Sequence, residues 1–374
     1  MHLKPLCLFA LCALPSWVVA SPLKTRSEKK YVIMDNDWSS AGFIPFLMAL
    51  DAGYEVLGLT SCTGGTWQKQ ITLHALATLE VGNLGCIPVY PGATWPLINT
   101  PERFQAWEAV HGMLEWQGAF APENLTYEAL GNDPTSGNPN KVVKAAFYEG
   151  FPTIKANTST NAANFMVEMV KKYPGQVSIW AAGAMTNVAL AVRMDPDFAS
   201  LAKELVIMGG YVDVNLLQAT GSLLLEDLNS DINLIIDPEA AKIALTADFP
   251  NITIAGNVAN QVMSTQSFLD EIIEVNNSYS NLVYNHYGTI FPFWDETAAG
   301  IMIDSSIVTN QSILYLDVDT AYASPSYGNI HVYQKALAPP HVRPIIYPYS
   351  VNATALKKMI KHAVQYPKNC STLN

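Results

Sequence analysis

Charge is scarce in this chain, and basic charge is scarcer still. Only 14% of its 374 residues are charged, with 21 Lys+Arg against 32 Asp+Glu and a formal net charge of −11. That balance argues against a protein that grips a nucleic-acid polymer or an anionic membrane surface, and it leaves a neutral small substrate open. There is no internal repeat, low-complexity tract or linker, so a solenoid or a string of modules is excluded. Beyond the N-terminus no uncharged apolar run is long enough to span a bilayer. Cysteine is rare: Cys7, Cys12, Cys62, Cys86 and Cys370 are all there are.

What is present is apolar. Hydrophobic residues make up 49% of the chain, enough to bury a large core. The first twenty residues, MHLKPLCLFALCALPSWVVA, read as a secretory leader: Lys4 in front, an apolar middle, and Val18-Val19-Ala20 as a small-residue cleavage site. Seven Asn-x-Ser/Thr sequons (Asn124, Asn157, Asn251, Asn276, Asn310, Asn352 and Asn369) join the leader in pointing to a secreted or vacuolar glycoprotein. Cleavage removes Cys7 and Cys12. The three remaining cysteines cannot all pair within the chain. Cys62 follows one expected strand and Cys86 precedes the next, at opposite ends of parallel neighbours, so no Cys62–Cys86 disulfide is expected.

From Tyr31 the chain alternates. Strand YVIM, a helix around Gly42–Ala52, strand EVLGLTS, a helix over Gln68–Glu80 and strand IPVY give a βαβ rhythm. Between about Trp95 and Thr160 the rhythm breaks into Pro-, Asn-, Gly- and aromatic-rich text, read as loops and short helices over one edge. It then resumes with helix NAANFMVEMVKKY, strand VSIWAA, helix MTNVALAVRM and strand ELVIMGG. A helix opened by Asp237-Pro238-Glu239 follows, then strand ITIAG. The tail holds an amphipathic helix near Ser267–Tyr284, hairpin text (SILYLDV, GNIHVYQ) and a helix near Ala353–Ala363. The expectation is α/β: one open, mostly parallel, doubly wound sheet of Rossmann type flanked by helices, with a small hairpin region near the C-terminus. The domain spans residues 31–366, after a leader over 1–20.

The first strand ends in Asp35-Asn36-Asp37, at the edge of an open α/β sheet where ligands bind. Three readings of this D-x-D stand side by side. In a haloacid-dehalogenase-like phosphatase Asp35 would be the nucleophile, although Trp38-Ser39-Ser40 is not the usual continuation. In a metal site the carboxylates are hard oxygen ligands. In a plain turn they cap the next helix.

Further segments narrow the choice. VIMDNDWSSAGFIPFLMALDAGYEVLGLTSCTGG, HALATLEVGNLGCIPVYPGATWPL, AVHG, GAMTN, LVIMGG, DINLIIDPEAAKIA and FWDETAAGIMID occur in this order. From Tyr31 to the C-terminus the chain resembles the nucleoside hydrolase family, the inosine–uridine-preferring nucleoside N-ribohydrolases. The resemblance implies a calcium ion whose bound water attacks the anomeric carbon, with Asp37 as metal ligand and general base. It places further metal ligands at the Ala182 carbonyl and Asp295. Substrate contacts fall on Asp35, Asn215, Asp231, Asn233 and Trp294, with Asp231 one methylene shorter than the usual Glu. It also implies a small nucleoside substrate and assembly as a homodimer or homotetramer. An oxocarbenium-like transition state suits such anionic surroundings.

Two departures stand out. Ala41-Gly42 replaces the family's second acidic pair, one member of which is a calcium ligand; its loss weakens metal binding. Trp294 replaces the family's late His; it stacks on a base but cannot protonate one, which leaves His286, Tyr284 and Tyr287 as alternative donors. His111 sits in the VHG segment, and His74 on a helix reads as structural. Two functions follow: a secreted N-ribohydrolase, or a metal-poor relative that binds a nucleoside without cleaving it.

Overall fold

The computed structural model describes residues 29–114, 116–212 and 231–373; the expected leader and Asn215 lie outside the described residues. The alternation becomes one nine-stranded sheet. β1 (Lys30–Asn36), β2 (Tyr54–Ser61), β3 (Val89–Pro91), β4 (Val177–Ala181), β5 (Glu204–Met208) and β6 (Ile252–Ala255) are its parallel part. β7 (Val308–Val318), β8 (Ile330–Tyr333) and β9 (Pro344–Val351) extend it, in spatial order β3-β2-β1-β4-β5-β6-β9-β7-β8. β9 runs parallel to β6, while β7 lies antiparallel to both β9 and β8. The chain leaves β1 towards β2 and β3, then crosses back to β4 on the other side. β1 is therefore the switch point, beside which a doubly wound sheet opens its crevice.

The flanking helices in chain order are α1 (Ile44–Asp51), α2 (Gln68–Val81), α3 (Pro101–His111), α4 (Ala162–Lys172) and α5 (Thr186–Met194), followed by α6 (Pro238–Leu245), α7 (Gln266–Ile273), α8 (Ser278–His286), α9 (Trp294–Ile303) and α10 (Ala353–Gln365). β1 shows why the sheet has two covered faces. Val32 and Met34 join a core with α1, α2, α9 and α10, whereas Tyr31 and Ile33 join a second core with α4, α5 and α6. Strand side chains alternate between faces, so a strand buried on both sides reads as a continuous apolar run. The same alternation sends Asn36 towards the first layer and Asp35 towards the second. Among the described residues no helix is long and apolar enough to cross a membrane.

Several sequence expectations are corrected. The single helix near Ser267–Tyr284 is two, α7 and α8. Asn277 breaks it by capping α8, accepting from the Tyr279 and Ser280 amides while Ser280 Oγ accepts from the Asn277 backbone N–H. β9 went unread because Pro344 and Pro348 mark PIIYPYSV as poor strand text; its register shifts near Pro348. His111 is the last residue of α3 rather than part of a loop, and the turn belongs to Gly112, at φ 105°. The expectation that Cys62 and Cys86 do not pair holds: Cys62 is free and buried, and Cys86 pairs instead with Cys370 across 5.9 Å between Cα atoms. Sequence separation hid that bond, which ties the C-terminal tail to the loop before β3.

Candidate active site

The last residues of β1 diverge into different environments. Asp35 is fully buried, and its Oδ1 accepts from Thr60 Oγ1 (2.6 Å) and Asn187 Nδ2 (2.8 Å). Burial pushes its carboxyl up to about 6 against these two hydrogen bonds. Asp35 is not in the cavity wall; in place of the substrate contact expected from sequence, it braces the wall from behind.

Asp37 does line the cavity. Its Oδ2 accepts from the Gly65 amide at 2.6 Å. Two neighbouring segments approach so closely that only glycine fits. A Cβ on Gly64 would lie 2.4 Å from Asp37 Oδ2, and one on Gly183 would lie 2.9 Å from the Asp37 amide nitrogen. Burial pushes the Asp37 carboxyl up to about 7, and the charges of Asp231 and Asp35 add to the effect.

Asp295, far along the chain in the first turn of α9, faces the same space. Its Oδ2 accepts from Asn36 Nδ2 at 3.0 Å. Burial first, then the charges of Asp37 and Glu296, push its carboxyl well above the usual range. Carboxylates brought this close resist ionising together. Asp231 caps the one-turn helix Ile232–Ile235, its Oδ1 accepting from the Asn233 amide at 2.9 Å. Burial raises it to about 6. The Asn233 side-chain NH₂ donates to the carbonyls of Ala182 (2.9 Å) and Met208 (3.1 Å), so this amide fixes the Ala182 carbonyl.

Together these groups enclose a cavity of about 580 Å³, within the range of small-ligand sites. Its far wall is aromatic. Trp116 and Phe291 lie 5.4 Å apart, Phe291 and Trp294 5.5 Å, and Trp116 meets Trp294 edge-on at 6.3 Å between centroids. Trp294 Nε1 donates to Asn260 Oδ1 (2.6 Å) and Tyr287 OH donates to Glu296 Oε2 (3.1 Å). Burial pushes the Glu296 carboxyl up to about 7. His286 lies flat on Tyr148, rings 4.5 Å apart. Tyr284 is outside the lining, and His111 reaches the Ala323 carbonyl instead.

Motif residues supply the scaffold behind this wall. Asn187 ties Asp35 to the Ser61 carbonyl (3.0 Å) and accepts from the Ala93 amide (2.9 Å). Asp237, raised to about 6 by burial, accepts from Thr186 Oγ1, the Leu97 amide and the Ala240 amide. The G-x-x-T-N and D-P-E-A-A segments thus join β1, β2, β4 and α6 around a single floor.

A hard cation finds a partial cradle here. Asp37, Asp295 and the Ala182 carbonyl are the oxygen donors that calcium takes, and crowded like charges favour a cation between them. The number of donors is short of calcium's usual six to eight. Among the described residues no group of three His, Cys, Asp or Glu side chains is placed to hold a metal. At position 42, where the second acidic pair ends, Ser39 Oγ accepts from the Gly42 amide (2.9 Å) and lies 3.0 Å from where a Cβ would stand. The donor chemistry fits a cation held with help from water and substrate hydroxyls.

The model of the inosine-uridine preferring nucleoside hydrolase family matches residues 32–358. The chain belongs to this family. An uncharacterized protein of Schizosaccharomyces pombe is 38% identical over 328 residues, covering 84% of this chain and 79% of its own length. A probable uridine nucleosidase 1 of Oryza sativa is 32% identical over 248 residues, covering 66% of this chain, and the chain spans 64% of that relative. The structure of a plant nucleoside hydrolase superposes with a TM-score of 0.67 at 22% identity, over 91% of this chain and 100% of that one. A purine-preferring ribonucleoside hydrolase from Gardnerella vaginalis gives 0.65 at 19%, over 90% and 99%. At such identities the structures speak for the fold alone: that of nucleoside hydrolases.

In this member of the family the cavity brings together Asp37, Ala182, Asp231, Asn233, Trp294 and Asp295 of the sequence-derived set, while Asp35 stands behind them. Sequence reasoning missed Trp116, Phe291, Glu296 and Tyr211, all of which line it. Trp116 lies in the long excursion after β3, whose placement nothing local encodes. Glu296 stands beside Asp295, and that adjacency was the one available signal.

Proposed function

We propose that this protein hydrolyses the N-glycosidic bond of a ribonucleoside or related N-glycoside, with Asp37 taking the proton from the attacking water. The observation that carries the reading is the Asn36–Asp295 hydrogen bond of 3.0 Å, which brings the late segment to the carboxyl end of β1 so that Asp37 and Asp295 share one cavity. A buried carboxylate whose pKa is raised to about 7 is suited to accept a proton near neutrality. Asp295 and Asp231 set carboxyl groups where positive charge develops on the sugar, and that charge favours their ionised form. The aromatic wall receives the base, and Asn233 positions the Ala182 carbonyl. Asp37, Asp295 and that carbonyl would hold a calcium ion, which when bound supplies a polarised water.

Base release from uridine, cytidine, inosine and adenosine, followed by chromatography with and without Ca²⁺, tests the activity. Asp37→Asn is expected to lower kcat by about 10²- to 10⁴-fold. Activity retained in that variant overturns the role of Asp37, and no release from any nucleoside by the native protein overturns the hydrolase.

The second reading, a nucleoside binder without turnover, is favoured by the side-chain-free Gly42 with Ser39 against it. Calorimetry separates the two: nucleoside affinity with no metal binding and no release favours the binder. We further propose a secreted or vacuolar glycoprotein. The Cys86–Cys370 disulfide suits an oxidising compartment, and none of the seven sequon asparagines is buried. A homodimer or homotetramer is the assembly that size-exclusion chromatography with light scattering would detect.

A further inference from the structure

The cavity has an aromatic wall on which several polar tips are already engaged. Trp294 Nε1 is bonded to Asn260, Tyr287 OH to Glu296, and the Gln117 side-chain NH₂ to Glu108. The faces and edges of Trp116, Phe291 and Trp294, at centroid separations of 5.4–6.3 Å, remain towards a ligand. His286, the imidazole on this wall, is stacked flat on Tyr148 at the exposed mouth. Four carboxylates line the same cavity, Asp37, Asp231, Asp295 and Glu296, and no Lys or Arg is among the described lining residues. An aromatic cage lined by acidic side chains and by no Lys or Arg among the described residues suits a flat organic cation.

This arrangement bears on the leaving group. Cleavage of a neutral nucleoside sends the C1′–N electron pair onto the base, which must gain a proton as it departs. In an N-ribosylpyridinium the ring nitrogen already carries the positive charge. The C1′–N pair neutralises it, pyridine departs neutral, water supplies OH to C1′, and one proton is released to solvent. No acid is needed at position 294.

Resting on the hydrolase reading above, we infer that the preferred substrates are ribosides of cationic, pyridinium-type heterocycles, held by cation–π contact with Trp294, Trp116 and Phe291. The full-length protein is assayed for kcat/KM on the riboside of 3-carbamoylpyridinium (nicotinamide riboside) alongside uridine and inosine. The pyridinium substrate is expected to lead by at least about tenfold. N-methylnicotinamide cation should inhibit about thirtyfold more strongly than neutral nicotinamide, the size of a desolvated cation–π contact. Trp294→Ala should abolish both preferences, and Trp294→Phe, which keeps a ring, should retain them. Release from uridine or inosine with no lead for the pyridinium riboside overturns this inference and leaves the hydrolase reading standing. No release from any of the three overturns both. A preference that survives Trp294→Ala overturns the cage.

Discussion

Asp37 is held by the Gly65 amide and crowded by Gly64 and Gly183, so its position depends on how closely the neighbouring backbone approaches. Gly64→Ala places a Cβ 2.4 Å from Asp37 Oδ2, which displaces the carboxylate or its loop. The expected outcome is loss of at least about 99% of kcat/KM, because a misplacement near 1 Å costs on the order of 10²-fold, with the circular dichroism spectrum unchanged; full activity in this variant overturns the positioning argument. Position 42 tests the cation. With two carboxylates and a carbonyl, calcium affinity should fall near about 10⁻⁴–10⁻³ M. Gly42→Asp, which asks only Ser39 Oγ to rotate away, should tighten it at least about tenfold by calorimetry; unchanged affinity places the ion elsewhere. At this scale the sequence is legible where a motif names a residue type, as with Asp37 and Asp295. It is silent on Trp116 and Glu296, because proximity to a cavity leaves no mark on a residue's neighbours in the chain.

Among the elements, α2 carries a device that periodicity does not display. His74 is buried on its inner side, its ring nitrogens donating to the carboxylates of Asp133 (2.9 Å) and Glu149, and it is stacked on Phe147 at 4.3 Å. Both carboxylates come from the irregular segment after β3, and Gln70 also donates to Asp133. Burial alone would lower the imidazole pKa, but the hydrogen bonds and charges of Asp133 and Glu149 outweigh it and raise it from 6.5 to about 9. A group protonated more readily when folded contributes its full stabilisation below the unfolded pKa and loses it as pH rises through the folded one. The melting temperature should therefore fall between about pH 6.5 and 9, and His74→Phe should flatten that fall while lowering stability at pH 6. A native protein with a level profile across this window overturns the coupling. The sequence reading of His74 as structural agrees with its burial, but its partners could not be read, because they sit in text with no period to place them.

For the whole molecule, the disulfide Cys86–Cys370 closes a loop over most of the chain, joining residues 284 positions apart. Cross-links of this kind add roughly 2–4 kcal/mol by restricting the unfolded chain. Cys86→Ser should lower the melting temperature by several degrees and remove the response to dithiothreitol; an unchanged transition shows that the bond contributes nothing. The βαβ alternation and the doubly wound sheet were decided by the sequence itself, since strands buried on both faces must be apolar throughout and helices must repeat near 3.6 residues. Motif order carried the family, and the D-x-D placed a carboxylate pair at the crevice. Only the tertiary structure decided that Asp35 braces while Asp37 faces inward, that the tail returns to meet Cys86, and that Trp116 joins Phe291 and Trp294. Local sequence encodes the period and direction of an element; which distant side chains then meet depends on the closure of the sheet and its loops.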